Sequence, residues 1–176
     1  MLEISLSGTG GQGLILAGII LAEAAILDGK QAIQTQSYGP EARGGASKAE
    51  VIISEEEIDY PKVLAPDILL VMSQEACNKY AGILKKNGKL LADSTLVKEI
   101  SGREAEVIDL PITRTAREEL GNAMFANIIA LGALVAATGA VSEESLTKAV
   151  LARVPRGTEE KNQKALALGK QLYAQR

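Results

Sequence analysis

The chain has 176 residues, enough for one domain that buries roughly 70% of the surface its unfolded form exposes. Its 19 basic and 22 acidic residues leave a formal charge of −3 without a basic run, and Phe125, Tyr38, Tyr60, Tyr80 and Tyr173 are scattered, which argues against a nucleic-acid partner. Cys77 is the only cysteine and histidine is absent, which rules out an intrachain disulfide and a four-thiolate iron-sulfur cluster, and all but rules out a self-contained hydrolase triad or zinc site.

Met1-Leu2-Glu3-Ile4 has no basic region ahead of an apolar one, so a secretory signal is not indicated. The apolar run Leu14 to Leu27 is interrupted by Glu23 and is too short to span a bilayer. A cytoplasmic protein with no membrane partner is expected, forming a single domain over 1–176.

A short strand is predicted from Leu2 to Leu6. It breaks into Ser7-Gly8-Thr9-Gly10-Gly11-Gln12-Gly13, and a helix follows from Gln12 to Asp28. Gly8, Gly10 and Gly13 have G-x-G-x-x-G spacing, which suits a tight turn, close approach of a ligand to the backbone and close helix packing. The N–H groups opening the helix would offer an anion a partial positive charge. A dinucleotide site also needs an acid at the end of the second strand. That strand, Gln31 to Ser37, has none, which speaks against NAD and leaves a purely structural turn equally open.

The helix is apolar on every side except Glu23, so it must be covered on most sides. Gly29 stops it. The link from the second strand to the third, Lys48 to Ser54, is about ten residues, shorter than a parallel crossover usually takes, so antiparallel pairing is expected there. The fourth strand, Asp67 to Met72, carries the apolar run of a strand buried on both faces. Ser73 is expected to cap a helix from Gln74 to Lys86 that carries a buried Cys77, and further strands are predicted at Lys89–Ala92 and Glu106–Leu110. A short charged helix spans Thr113–Leu120, and a second helix apolar almost all round spans Ala123–Thr138, broken by Asn127 and containing Gly132. Two such helices exceed what one small sheet needs, and a permanent partner subunit would account for the excess. Ser142 and Thr158 are expected to cap the last two helices, Glu143–Ala152 and Glu159–Ala174. The fold expected is α/β: a three-layer, Rossmann-like open sheet, mostly parallel but mixed, with helices on both faces.

The segment Tyr38 to Gly45 also carries chemistry. Glu41, Arg43, Gly44 and Gly45 gather a carboxylate, a guanidinium and bare backbone, and Arg43 suits a two-pronged contact with phosphate or carboxylate. Loops leaving the carboxyl ends of the first two strands can share one crevice. A surface Glu41–Arg43 pair beside a glycine turn explains the same residues without a ligand.

Together, Gly8-Thr9-Gly10-Gly11-Gln12-Gly13 and Ser37-Tyr38-Gly39-Pro40-Glu41-Ala42-Arg43-Gly44-Gly45 resemble the gamma subunit of 2-oxoacid:ferredoxin oxidoreductases. Val154-Pro155-Arg156-Gly157-Thr158 with Asn162, and the helix around Asn127 to Gly132, are similar as well. The likeness runs essentially the whole chain and is greatest to the 2-oxoglutarate branch; pyruvate, branched-chain and indolepyruvate relatives share the motifs.

The resemblance implies a complex that decarboxylates a 2-oxoacid on thiamine diphosphate, passes electrons through iron-sulfur clusters to ferredoxin and forms an acyl-coenzyme A. It implies alpha, beta and ferredoxin-like delta subunits as partners, with thiamine diphosphate, Mg and the iron-sulfur cluster on them and none bound by this chain alone. The chain has no Gly-Asp-Gly segment for a magnesium-diphosphate site. The site residues so implied, facing cofactor or partner, are Gly8, Thr9, Gly10, Gly11, Gln12, Gly13, Tyr38, Glu41, Arg43, Gly44 and Gly45, with no catalytic residue and no metal ligand among them. Two alternatives stay open: a scaffold subunit that touches no ligand, and a free-standing nucleotide binder. Pairing of the isolated chain into a homodimer is a further expectation.

Overall fold

The computed structural model describes residues 1–37, 45–100 and 105–176. Six strands form one sheet: β1 (Leu2–Thr9), β2 (Gln31–Gln36), β3 (Ala46–Ser54), β4 (Ile68–Val71), β5 (Lys89–Asp93) and β6 (Glu106–Leu110), in the order β2-β3-β1-β4-β5-β6. β3 runs antiparallel to both of its neighbours, and the β1/β4, β4/β5 and β5/β6 pairs are parallel. The short link between β2 and β3 therefore does what its length predicted. Because β3 alone is reversed, β1, β2, β4, β5 and β6 all end at the same edge of the sheet, where β3 begins.

Helices cover both faces unequally. On one face, Ile4, Leu6, Val51, Ile53, Leu70 and Leu91 join a single core with α1 (Leu14–Leu27), α3 (Ile112–Leu120), α4 (Ala126–Thr138), α5 (Glu143–Arg153) and α6 (Glu159–Ala174). On the other, Leu69, Val71, Leu90 and Ala92 pack under α2 (Gln74–Tyr80), whose inner side carries Ala76, the buried Cys77 and Tyr80. β4 is buried on both faces, as its unbroken apolar run requires.

The two all-apolar helices find much of their cover inside the chain. α5 lies against α1, and α6 against α4, every residue of which from Ala126 to Val135 is buried. Gly132 and Gly169 make the second contact possible: their bare Cα atoms let the backbones of α4 and α6 meet directly. For α4 the tail helix α6 supplies the cover that a partner subunit was expected to give, whereas α1 keeps Ile26 and Leu27 exposed at its end.

Several boundaries differ from expectation for local reasons. β1 extends past Leu6 to Thr9, because Gly8 and Thr9 continue the ladder opposite Ser47 and Ala46. α2 stops at Tyr80 and tightens into a 3₁₀ turn, Ala81–Ile83, instead of reaching Lys86; Leu84 turns to an extended conformation and the Lys85 N–H bonds the Pro66 carbonyl. A 3₁₀ turn, Ala123–Phe125, precedes α4, with the Asn122 side chain accepting from the Met124 N–H. Ser73 and Ser142 cap α2 and α5 through their hydroxyls. Thr158 does not cap α6 in this way; its hydroxyl donates back to the Pro155 carbonyl.

Candidate functional site: the glycine-rich turn at the carboxyl edge of the sheet

β1 meets β4 where the chain's progress across the sheet reverses, the position at which open α/β sheets usually bind ligands. The turn Gly10 to Gly13 stands there, with Thr9, Gly10 and Gly11 exposed and Gln12 half-buried. Gly11 has φ +87°, with no atom within 4 Å of the position a Cβ would take, so its glycine serves the backbone conformation.

The other two described gaps are filled by the protein itself. A Cβ on Gly8 would lie 2.8 Å from Leu14 Cδ1 and 3.1 Å from Met72 Cβ, and closer still to Gln12 Oε1. The room at Gly8 therefore houses the Gln12 side chain. Gln12 Oε1 accepts from the Thr9 N–H at 2.8 Å, and Nε2 donates to the Met72 carbonyl at 2.8 Å, stapling the turn across the crevice between β1 and β4. That crossing fills the room beside Gly8 with the protein's own side chain. At Gly13, φ +74°, a Cβ would stand 2.5 Å from Asn127 Nδ2. Asn127, buried at the start of α4, donates instead to the Gly13 carbonyl at 3.1 Å, while its Oδ1 accepts from the Ile128 N–H at 2.9 Å. Among the described residues no side chain caps α1 at Gly13.

The second predicted segment enters the sheet beside the first. Ala46 opens β3 opposite Thr9, so Gly45 stands next to the glycine-rich turn. Tyr38, Glu41, Arg43 and Gly44 lie outside the described residues.

A buried acid holds the neighbouring wall. The Asp93 carboxylate, at the end of β5 and fully buried, accepts from the Thr113 N–H at 3.2 Å, from the Thr113 hydroxyl and from the Thr95 N–H at 3.1 Å, anchoring the start of α3. On β6, burial followed by the nearby Asp93 charge pushes the Asp109 carboxyl above the usual aspartate range. A cleft of about 290 Å³ opens between the turn and α3, lined by Gly11, Gln12, Leu96, Arg117, Met124 and Ala126 among others. Asn127 shows in the sequence only as a polar break in an apolar run, and nothing there singles out Asp93; the partners that give them their roles, Gly13 and Thr113, lie too far along the chain for spacing to reveal.

Residues 3–172 match the pyruvate ferredoxin/flavodoxin oxidoreductase family. The chain belongs to that family. A 2-oxoglutarate synthase subunit, KorC, of Methanocaldococcus jannaschii is 55% identical over 170 residues, covering 95% of this chain and 91% of the relative. The crystal structure of a keto/oxoacid ferredoxin oxidoreductase gamma subunit from Geobacter sulfurreducens superposes with a TM-score of 0.92 at 51% identity, covering 100% of both chains. A pyruvate oxidoreductase subunit, PORC, from Thermotoga maritima superposes with a TM-score of 0.83 at 28% identity, covering 97% of this chain and 96% of that one. Family members thus share this mixed sheet with helices on both faces, and among the described residues no helix is long and apolar enough to cross a membrane.

Proposed function

We propose that this chain is the gamma subunit of a cytoplasmic, heteromeric 2-oxoglutarate:ferredoxin oxidoreductase, which converts the 2-oxoacid and coenzyme A to acyl-coenzyme A and CO2 while reducing ferredoxin. It acts with alpha, beta and ferredoxin-like delta subunits and is inactive alone. What carries the proposal is 55% identity along nearly the whole chain to a 2-oxoglutarate synthase subunit, against 28% to a pyruvate oxidoreductase subunit.

An iron-sulfur cluster does not fit this chain. Its single cysteine cannot supply four thiolates, it has no histidine, and among the described residues no group of three His, Cys, Asp or Glu side chains converges on a metal position. The iron-sulfur cluster is therefore assigned to a partner subunit, and thiamine diphosphate with its magnesium is assigned to the partners with it. The contribution assigned here is a wall of the coenzyme A and thiamine crevice, built by Gly10 to Gly13 and by the segment holding Tyr38, Glu41, Arg43, Gly44 and Gly45. Exposed backbone and a guanidinium there suit anionic groups, and no proton transfer is given to any of them.

The scaffold alternative is favoured by a separate observation: the spaces at Gly8 and Gly13 are taken up by Gln12 and Asn127, so those two glycines serve the turn's own packing. The deciding experiment is purification of the complex followed by coenzyme A-dependent viologen reduction across several 2-oxoacids. The proposal expects 2-oxoglutarate to be the preferred substrate and Arg43→Ala to raise the apparent KM for coenzyme A. Preference for pyruvate removes the substrate assignment, and an Arg43→Ala complex with normal coenzyme A kinetics favours the scaffold.

A further inference from the structure

The cleft beside the glycine-rich turn has the composition of a protein contact. Two large apolar side chains of its lining stand open, Leu96 at 36% and Met124 at 63% of full exposure, and the small residues Gly11, Ala123 and Ala126 line it as well. α3 sends Arg117 into it, the only charged side chain among the described residues that line the cleft, beside the neutral polar side chains of Gln12 and Thr113. Its neighbours on the same helix are engaged: Arg114 faces Glu118 at 4.0 Å, and Glu119 faces Lys164 of α6 at 3.8 Å. Arg117 has no ion-pair partner among the described residues.

Methionine and arginine are enriched where protein surfaces meet, and an arginine in a shallow apolar cleft is a common anchor. A guanidinium flanked by apolar side chains and by the neutral Gln12 and Thr113 calls for a carboxylate from a docking protein, because a neutral or basic side chain would strip its water and leave it unpaired. The support of the cleft is rigid on both sides. Asp93 fixes the start of α3, and Asn127 and Gln12 fix the turn, so the surface is formed before anything docks.

We infer that this cleft is a docking site for a neighbouring subunit of the complex, taking an acidic side chain of that subunit onto Arg117 with an apolar side chain seated between Leu96 and Met124. The inference rests on the subunit assignment made above and adds to it the surface through which this chain is held.

The test uses the full complex, co-expressed with all its subunits and recovered through a tag on another subunit. Arg117→Glu and, independently, Met124→Asp are expected to cut the amount of this chain retained by about tenfold or more, and high salt to weaken retention of the wild type. Arg114→Glu carries the same charge change one turn away and is expected to be retained like the wild type. All three sites are exposed, so each variant chain should fold, which its thermal unfolding checks. Normal retention of Arg117→Glu overturns the inference, as does equal loss with Arg114→Glu. A retained Arg117→Glu complex with a raised KM for coenzyme A also overturns it, since the cleft then serves the substrate. If the wild-type chain is not retained at all, the subunit assignment itself has failed, an outcome distinct from a wild-type complex that tolerates Arg117→Glu.

Discussion

Replacing Gly169 by alanine should destabilise the protein, although alanine is the better helix former. A Cβ at this position would lie 2.7 Å from Ala133 N and 2.9 Å from Ile129 C, and closer still to Ile129 O, all of them backbone atoms of α4. No side chain can swing aside to make room. The two helices must therefore part by well over half an ångström along a seam where Gly132 is equally tight against the Leu166 carbonyl of α6.

Overpacking of this kind costs about 1–3 kcal/mol, and contact with backbone on the far side places it near the top of that range. The helix-propensity gain of glycine to alanine returns about 0.8–1.0 kcal/mol. The expected net loss is about 2 kcal/mol, or a fall of about 4–8 °C in Tm for a domain of this size. Gly82 is the internal control: it is exposed, its φ is not left-handed, and no atom lies within 4 Å of its Cβ position. Gly82→Ala should leave stability unchanged or raise it by about 0.4–1 kcal/mol. Urea and thermal unfolding of the two variants beside wild type make the measurement. If Gly169→Ala proves as stable as wild type, α6 does not close on α4 as described, and the cover for that apolar helix must come from elsewhere.

Gln12→Ala removes both bonds that staple the turn, so stability should fall by about 1–2 kcal/mol and the Thr9 amide should lose protection from hydrogen exchange; unchanged exchange would mean that the turn is held by something else. At Asp28, burial pushes the carboxyl up, but hydrogen bonds from the Ser142 side chain, from Ser145 and from the Ser142 backbone outweigh it and hold the carboxyl below its ordinary value. A depressed aspartate stabilises the fold above its unfolded pKa of about 3.9 and loses that stabilisation as pH falls through the folded value. Asp28→Asn should therefore flatten the acid side of the stability profile, and an acid limb as steep as in wild type would refute the link between the end of α1 and the start of α5.

What could be read without coordinates was what depends on neighbours in sequence. The ten-residue link before β3 constrained its direction, the unbroken run in β4 signalled burial on both faces, and Ser73 and Ser142 declared their helix starts through a hydroxyl set before a helical run. Thr158 carried the same signal and failed, because the Pro155 carbonyl behind it competes for its hydroxyl. The glycine motif was legible as a turn but not in its purpose. Spacing shows that a Cβ is missing and cannot show that Gln12 fills the gap at Gly8 or that Asn127, more than a hundred residues on, fills the one at Gly13. The covering of α4 by α6 escaped for a related reason: Gly132 and Gly169 look unremarkable singly and acquire meaning only when they face each other.

The most direct measurement of the central claim is a subunit omission assay. The complex is reconstituted with and without this chain, and 2-oxoglutarate- and coenzyme A-dependent viologen reduction is followed in each. The account predicts activity only when the chain is present together with its partners, and none from the chain alone. Equal activity after omission, or turnover by the isolated chain, would contradict it.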